Sequence, residues 1–245
     1  MIPLVHDFAG ETVLVVGGGA VATRKARRFA AEASVIVVSP TFTDRLRSAD
    51  GRATEDGRDA GTTTETDGGR IELVRQRLEP DDVAALIDRA EPALVVAATD
   101  DPAINAATEA AARDRGVLIN RTDVSGGRDP GSVVVPATVE DGPVTFAITT
   151  GATSPAVSRY LRERIEAEFD GIGDLARLVG DVRMDLIDRD VDPETRREAV
   201  RSVVRSPAVQ KGLQTGETNP RQLADGIVER VRDHADDPGD TSEGQ

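Results

Sequence analysis

Cysteine is absent from this chain of 245 residues, and only two histidines are present, His6 and His234. The absence of cysteine excludes disulfides, thiolate nucleophiles and cysteine-ligated metals. Two histidines are too few for a site with several histidine ligands, so we predict no metal site. Aromatic residues make up only 2% of the chain and tryptophan is missing. The side chains that remain to carry chemistry are carboxylates, hydroxyls and arginines.

Basic residues are also fewer than acidic ones. The chain has 30 Lys and Arg residues against 44 Asp and Glu residues, for a net charge of −14. A surface this negative repels nucleic acid and anionic membranes, so we expect neither as a partner. Only Lys25 and Lys211 are lysines. An acidic, arginine-rich and lysine-poor composition is typical of proteins kept soluble in high salt, and it predicts a halophilic source.

Long apolar runs are missing as well. No run approaches the roughly 20 residues that a membrane-spanning helix requires. The N-terminal segment MIPLVHDFAGE lacks a basic leader followed by a long apolar core, so it does not resemble a signal peptide. We therefore expect a soluble protein of the cytoplasm.

Short apolar runs alternate with helix-forming segments in the first half of the chain. Buried strands are predicted at Val13–Val16, Ser34–Pro40, Ile71–Val74, Ala93–Asp101 and Gly116–Asp123. Strands that alternate with helices of ten or more residues form a parallel sheet covered on both faces. The predicted fold class is α/β, with a Rossmann-like doubly wound parallel sheet over residues 1–123. The polar segment 49–69 is predicted to be a disordered surface insert.

The pattern changes after Asp123. Ser132–Gly151 predicts a β-hairpin around an Asp-Gly turn. Ser154 and Pro155 then predict the start of a helix, with apolar positions every four residues from Val157 to Phe169. This hairpin and helix make up a small region at 124–169. A helical C-terminal domain at 170–233 and a disordered tail at 234–245 complete the prediction.

A glycine-rich turn lies between the first predicted strand and the first helix. Gly17, Gly19 and Ala22 occupy the small-residue positions of a GxGxx[GA] motif. In that motif the first glycine permits the tight turn, the second lets a pyrophosphate approach the backbone, and the third small residue allows close helix packing. The N–H groups at the start of the helix can bind phosphate. The turn predicts nucleotide binding, and a glycine turn without a ligand is the alternative.

The acidic residue expected at the end of the second strand is missing. Ser39, Pro40 and Thr41 stand there instead. A carboxylate at this place binds the ribose hydroxyls of NAD, and it would repel the 2′-phosphate of NADP. Hydroxyl groups do not repel that phosphate, so this strand end does not distinguish between NAD and NADP as the cofactor.

Four segments resemble those of precorrin-2 dehydrogenases, the dehydrogenase and ferrochelatase module of siroheme synthases. They are VLVVGGGAVATRKAR, VVAATDDPAIN, GVLINRTD and FAITTGATSPAVSRYLRERIE, in the family's order and spacing. The resemblance covers about residues 2–169. It implies NAD-dependent oxidation of precorrin-2 to sirohydrochlorin in siroheme biosynthesis, with insertion of ferrous iron by some members. It also implies a homodimer whose interface is formed by residues 124–169, beside the tetrapyrrole cleft.

The resemblance implies a role for Asp123, which closes the fifth strand in the segment NRTD. In the family this carboxylate is the candidate general base. That role suits a reaction that passes a hydride to nicotinamide and a proton to a base at the carboxyl edge of the sheet. The alternative is that Asp123 caps the following loop.

The resemblance implies cofactor contacts at Gly17, Gly18, Gly19, Ala20, Val21, Pro40 and Thr41. Thr99 and Asp100 end the fourth predicted strand beside the same crevice, and this place makes them further candidate cofactor contacts. For Thr99 and Asp100, capping of the following helix is the alternative role.

The segment TTGATSP corresponds to a Ser/Thr-Gly-rich loop near the tetrapyrrole in the family. The implied substrate contacts are Thr150, Gly151, Thr153 and Ser154. Arg121 and Arg159 are candidate sources of local positive charge, because an anionic substrate would otherwise be repelled by a net charge of −14. A helix N-terminus after this loop suits a substrate with many carboxylates. The alternative for the arginines is a solvated surface.

Two other protein classes share parts of this pattern. A non-catalytic NAD-sensing module would need the glycine turn, and it would have no use for Asp123. A short-chain dehydrogenase would need a Tyr-x-x-x-Lys pair, but the only tyrosine, Tyr160, is followed four residues later by Arg164. The function that the resemblance implies is NAD-dependent precorrin-2 dehydrogenation, with the sensing module as the alternative.

Overall fold

The computed structural model describes residues 2–49, 70–124, 132–151 and 153–236. The chain divides into two compact units, Met1–Val135 and Pro136–Gln245. Residues 50–69 of the predicted insert and residues 237–245 of the predicted tail lie outside the described residues.

The first unit is built on a parallel sheet of five strands. These are β1 (Thr12–Val16), β2 (Ser34–Ser39), β3 (Ile71–Arg75), β4 (Leu94–Ala97) and β5 (Leu118–Arg121). They lie in the order β3-β2-β1-β4-β5, and every neighbouring pair is parallel. The chain reverses its direction of travel across the sheet between β1 and β4, which is where such folds bind ligands. The predicted doubly wound sheet is confirmed.

Helices cover both faces of this sheet. They are α1 (Ala20–Phe29), α2 (Asp44–Arg47), α3 (Asp82–Ala90) and α4 (Pro102–Asp114). Val13 and Val15 pack in one apolar cluster with α1, whereas Leu14 and Val16 pack in the other with α3 and α4. Because both faces of β1 are buried, the strand has a continuous apolar run instead of an alternating one.

The second unit begins with the predicted hairpin. Strands β6 (Ala137–Asp141) and β7 (Val144–Ile148) are antiparallel around Gly142, whose φ is +54°. The helix α5 (Pro155–Glu168) follows, and the Ser154 hydroxyl accepts a hydrogen bond from the Val157 N–H at 3.3 Å. The predicted hairpin and the predicted start of α5 are therefore both confirmed.

The remaining helices form a bundle with its own core. They are α6 (Ile172–Asp188), α7 (Pro193–Val204), α8 (Pro207–Thr215) and α9 (Pro220–Asp236). Apolar residues from all four pack together, among them Leu186, Val203, Val209 and Val228. Helix α9 runs through Asp236, so the tail predicted from residue 234 starts too early. Within the described ranges, no helix combines the length and the apolar character needed to cross a bilayer.

Candidate active site

The carboxyl edge of the first unit's sheet brings four turns together. The N–H of Gly17 donates to the Val38 carbonyl at 2.9 Å, which ties the turn after β1 to the end of β2. The N–H of Thr122 donates to the Ala97 carbonyl at 3.0 Å, which ties the segment after β5 to the end of β4. Because parallel strands end at the same edge, the structure groups the predicted cofactor contacts and Asp123 along one side of the sheet.

Gly17 and Gly18 are required by the packing of the turn itself. Gly17 has a φ of +123°, and a Cβ there would collide with the carbonyl oxygen of Ala98. A Cβ on Gly18 would collide with the carbonyl oxygen of Thr41 and would lie 2.8 Å from the Ser39 hydroxyl. The turn after β1 thus lies directly against the ends of β4 and β2, with no room for a side chain at either position.

Gly19 differs from both neighbours. It caps α1 with φ −78° and ψ −171°, an extended conformation that any residue can adopt, and no described heavy atom beyond its chain neighbours lies within 4 Å of the position that a Cβ would take there. No side-chain hydrogen bond caps this helix, so its first-turn N–H groups are available to a ligand. Gly19, Ala20 and Val21 are all exposed. The open space at Gly19, beside a helix N-terminus, fits the pyrophosphate of a dinucleotide.

The turn after β2 carries the predicted contacts Pro40 and Thr41, and both are exposed beside the glycine turn. The N–H of Thr43 donates to the Gly18 carbonyl at 3.2 Å, and the Thr43 and Thr23 hydroxyls are 2.8 Å apart. The end of β2 is therefore fixed against the start of α1. Ser39, the last residue of β2, is buried, so the strand ends without a carboxylate.

The turn after β4 is held by a residue that sequence reasoning missed as a site residue. The Asn105 side chain is 1% exposed; its amide donates to the Thr99 carbonyl at 3.0 Å, and its oxygen accepts from the Thr99 N–H and hydroxyl at 3.1 and 2.8 Å. Asp101 caps α4, which makes the N-cap alternative for Thr99 and Asp100 wrong. The sequence signal for the role of Asn105 was its place as the last residue of the segment VVAATDDPAIN.

Asp123 follows β5 and is paired with Arg121. The Arg121 Nε and Nη2 atoms donate to the two Asp123 oxygens at 3.0 and 2.5 Å, and Nη1 donates to Glu109 at 2.9 Å. The hydrogen bonds from Arg121 hold the pKa of the Asp123 carboxyl below its ordinary value, in opposition to desolvation, and a bond from Asn105 adds to the lowering. The pKa of Arg121 is raised by the same pair. Asp123 is therefore ionised at neutral pH and can accept a proton.

The other predicted substrate residues lie in the second unit. The Thr150 hydroxyl lies 3.2 Å from the Ser154 carbonyl and 3.1 Å from the Ser158 hydroxyl, and the Thr153 N–H donates to the Thr150 carbonyl at 3.0 Å. The described part of this loop is thus fixed on the first turn of α5. Gly151 and Arg159 are exposed.

Among the residues described in the two units, no group of three or more metal-ligating side chains could hold a metal ion.

A doubly wound sheet with an open glycine at its switch point defines a dinucleotide-binding protein of the Rossmann type. The family model NAD_binding_7, described as "Putative NAD(P)-binding", matches residues 4–137. That match covers more than half of the chain, and the chain belongs to this family. The predicted nucleotide binding is confirmed at the level of NAD(P).

Curated relatives confirm the predicted resemblance. The chain is 29% identical to a precorrin-2 dehydrogenase of Methanosarcina barkeri over 93% of each chain. It is 33% identical to a siroheme synthase of Gluconacetobacter diazotrophicus over 92% of this chain and 44% of that protein. The chain therefore spans less than half the length of the siroheme synthase.

A solved structure has the same fold. The precorrin-2 dehydrogenase SirC superposes with a TM-score of 0.62 over 95% of this chain and 100% of that one, at 20% sequence identity. At this identity the match establishes the shared fold.

Proposed function

We propose that the protein is a precorrin-2 dehydrogenase that uses NAD to oxidise precorrin-2 to sirohydrochlorin in siroheme biosynthesis. One observation carries the proposal: an ionised carboxylate, Asp123, follows β5 at the same sheet edge where Gly19 leaves room for a pyrophosphate. The relatives named as precorrin-2 dehydrogenase and siroheme synthase support the choice of substrate.

The chain's own residues have separate tasks in this reaction. The N–H groups at the start of α1 bind the pyrophosphate beside Gly19, and Pro40, Thr41, Thr99 and Asp100 line the crevice around the rest of the cofactor. When bound, NAD supplies the acceptor for a hydride from a substrate carbon. Asp123 then accepts, on a carboxylate oxygen, the proton that the substrate loses as its new double bond forms.

The substrate carries many carboxylates, so its site needs positive charge or N–H donors. We propose that the loop of Thr150, Gly151, Thr153 and Ser154, together with Arg159, contacts these carboxylates. The dipole at the start of α5 favours an anion there. This arrangement would offset the repulsion from a net charge of −14.

The test is direct. The purified protein, in high salt, is mixed with enzymatically made precorrin-2 and NAD, and NADH and sirohydrochlorin are followed by their absorbance. We expect both products to appear together. NAD binding without turnover would contradict the dehydrogenase and favour the NAD-sensing module. Sirohydrochlorin with ferrous iron, in a separate reaction, tests the insertion activity that the resemblance implies for some members.

We also propose that the protein works as a homodimer whose interface includes α5. This helix is described throughout, and none of its residues is buried. Its apolar side chains remain open to solvent, with Val157 at 47%, Tyr160 at 60% and Leu161 at 38% exposure. An amphipathic helix normally buries its apolar face. A second copy of the chain would cover this face in the region for which the resemblance implies dimerisation.

Replacement of Leu161 by Glu is expected to convert the dimer to a monomer of 25.9 kDa, because a carboxylate buried in the interface would lose its hydration. Light scattering after size-exclusion chromatography, at micromolar protein, measures the mass. Val204→Glu is the matched control, since Val204 is also 38% exposed but lies on α7. A wild-type protein that is already monomeric, or a Leu161 variant that stays dimeric, would refute the α5 interface.

A further inference from the structure

We infer that Arg121 is a positioning residue that orients the Asp123 carboxylate, and that Glu109 holds Arg121 in place for this task. The inference rests on the proposed dehydrogenase function. It replaces the predicted role of Arg121 as a contact for substrate carboxylates. The positions of the three guanidinium nitrogens of Arg121 support the inference.

All three guanidinium nitrogens of Arg121 are engaged. Nε and Nη2 form a side-on fork with both Asp123 oxygens, and Nη1 donates to the Glu109 Oε2 atom. The Arg121 side chain is only 13% exposed. A substrate carboxylate would have to compete with these two acidic partners for the charge of Arg121, because the three bonds leave one further N–H on Nη1 and one on Nη2. A paired arginine of this kind is poorly suited to capture an anion from solvent.

Glu109 anchors the pair from α4. Its side chain is 15% exposed, and its second oxygen, Oε1, accepts from Arg113 Nη2 at 2.6 Å and from the Ser132 hydroxyl at 3.4 Å. Both oxygens are thus held from different directions, so the carboxylate has a single well-defined orientation. Acidic and basic groups alternate from Asp123 through Arg121 and Glu109 to Arg113. This alternation lets two carboxylates lie close to one guanidinium without net repulsion.

The fork determines how Asp123 meets the substrate. A bidentate arginine uses one acceptor position on each carboxylate oxygen and fixes the plane of the group. The charged groups facing Asp123 are Arg121 from β5 and, behind it, Glu109 and Arg113 from α4, while Asn105 contributes a hydrogen bond from the same helix. The base is therefore both oriented and kept ionised.

Arg121→Gln separates positioning from substrate binding. Loss of the fork frees the Asp123 carboxylate to rotate, and a misplaced catalytic group costs on the order of 10–100-fold. We expect kcat to fall by about that factor while KM stays within about twofold. The pKa of Asp123 should rise once its cation is removed, so the acid limb of the kcat/KM profile should move to higher pH.

Two further variants test the inference even if Arg121→Gln does not fold. Arg121→Lys retains the charge but carries its donors on a single nitrogen and cannot form the planar fork, and we expect kcat to fall while the acid limb stays near its wild-type position. Glu109→Gln keeps the shape of the anchor and weakens its bond to Arg121, so kcat should fall less than in Arg121→Gln, again with KM unchanged.

Arg115→Gln is the matched control. Arg115 forms the same side-on fork with Asp88, at 2.5 and 2.8 Å, between the C-terminal ends of α3 and α4. Helices in this fold run back from the carboxyl edge, so this fork lies at the opposite edge of the sheet from Asp123. We expect Arg115→Gln to leave kcat, KM and the pH profile unchanged.

NMR titration of the Asp123 carboxyl, without substrate, gives a readout separate from turnover. An Asp123 pKa that rises in Arg121→Gln, with lower kcat and unchanged KM, supports the inference. A raised KM at unchanged kcat, or an Asp123 pKa that does not move, overturns it in favour of substrate binding or of a purely structural pair. A wild-type protein that never oxidises precorrin-2 overturns the proposed function, and the titration still decides whether Arg121 controls the ionisation of Asp123.

Discussion

Gly19→Ala is expected to fold normally and to lose NAD binding by about 100-fold or more, which corresponds to roughly 2.7 kcal/mol of binding free energy. The added methyl group would occupy the space where the pyrophosphate approaches the start of α1. Within the described part of the chain, nothing beyond the adjacent residues lies within 4 Å of that methyl position, and the backbone at Gly19 is extended. The protein itself therefore has no need of glycine there.

Calorimetric titration with NAD, alongside thermal unfolding, measures both parts of this result. The effects of alanine on the helix cap and on the unfolded chain oppose each other and are each about 1 kcal/mol or less, so the unfolding temperature should hardly change. Gly180→Ala lies in α6, where no described heavy atom beyond its chain neighbours and the adjacent helix backbone is within 4 Å of the added methyl group, and it should leave NAD binding intact. Full NAD affinity in Gly19→Ala would mean that the cofactor does not bind at this turn.

Gly17 is a poorer position than Gly19 for testing NAD binding at this turn. Alanine at Gly17 would meet the Ala98 carbonyl, and the φ of +123° would add strain. Loss of NAD binding in that variant could follow from a damaged turn. Of the three glycines at this turn, Gly19 is the one that separates the needs of the ligand from the needs of the fold.

The sequence predicts the sheet well because buried parallel strands have a simple signal. Val13–Val16 and Leu94–Ala97 are fully apolar and each leads into a turn, and the helices between strands are long enough to cross over. Asp-Gly at Asp141 and Gly142 likewise predicts the hairpin, since glycine accepts the positive φ found there.

Other elements leave little trace in the sequence. Helix α2 has four residues, too few for an apolar period, and it depends on the Thr43 hydroxyl, which accepts from the Leu46 N–H at 3.3 Å. The sequence pattern gives no separate prediction for α8 either. The apolar period of α5 predicts a buried face, but a period cannot say whether that face is covered by the same chain or by another.

The sequence predicts the turns of the candidate site, but it does not predict which of the site's charged side chains pair with one another. Glycines and strand ends locate the cofactor edge, because the chain there has to make tight turns. Arg121 and Glu109 are twelve residues apart in sequence and meet only because α4 packs beside β5. In an arginine-rich chain, the sequence does not distinguish an arginine that pairs with a carboxylate of the protein from one that contacts the substrate. The pairing of Arg121 with Asp123 therefore needed the structure.

Asp123→Asn is expected to lower kcat for precorrin-2 oxidation by about 10²–10⁴-fold, the usual contribution of a general base, with NAD affinity unchanged. Asparagine keeps the shape of the side chain and can still accept from Arg121, but it cannot take up the proton. Steady-state assays and NAD titration measure the two effects. Asp88→Asn is the matched control, because Asp88 forms the same kind of fork with Arg115 away from the cofactor edge, and its kcat should equal the wild-type value.

The pH dependence of stability gives Asp123→Asn a second signature. The Asp123 pKa is lower in the folded protein than in the unfolded chain, so this carboxyl stabilises the fold above its ordinary pKa of about 4. That contribution disappears as the pH falls through the lowered, folded value. Asp123→Asn should therefore lose stability at neutral pH relative to wild type, with a smaller difference at strongly acidic pH. Unchanged turnover in this variant would exclude Asp123 as the base, and the fork would then be only a structural pair.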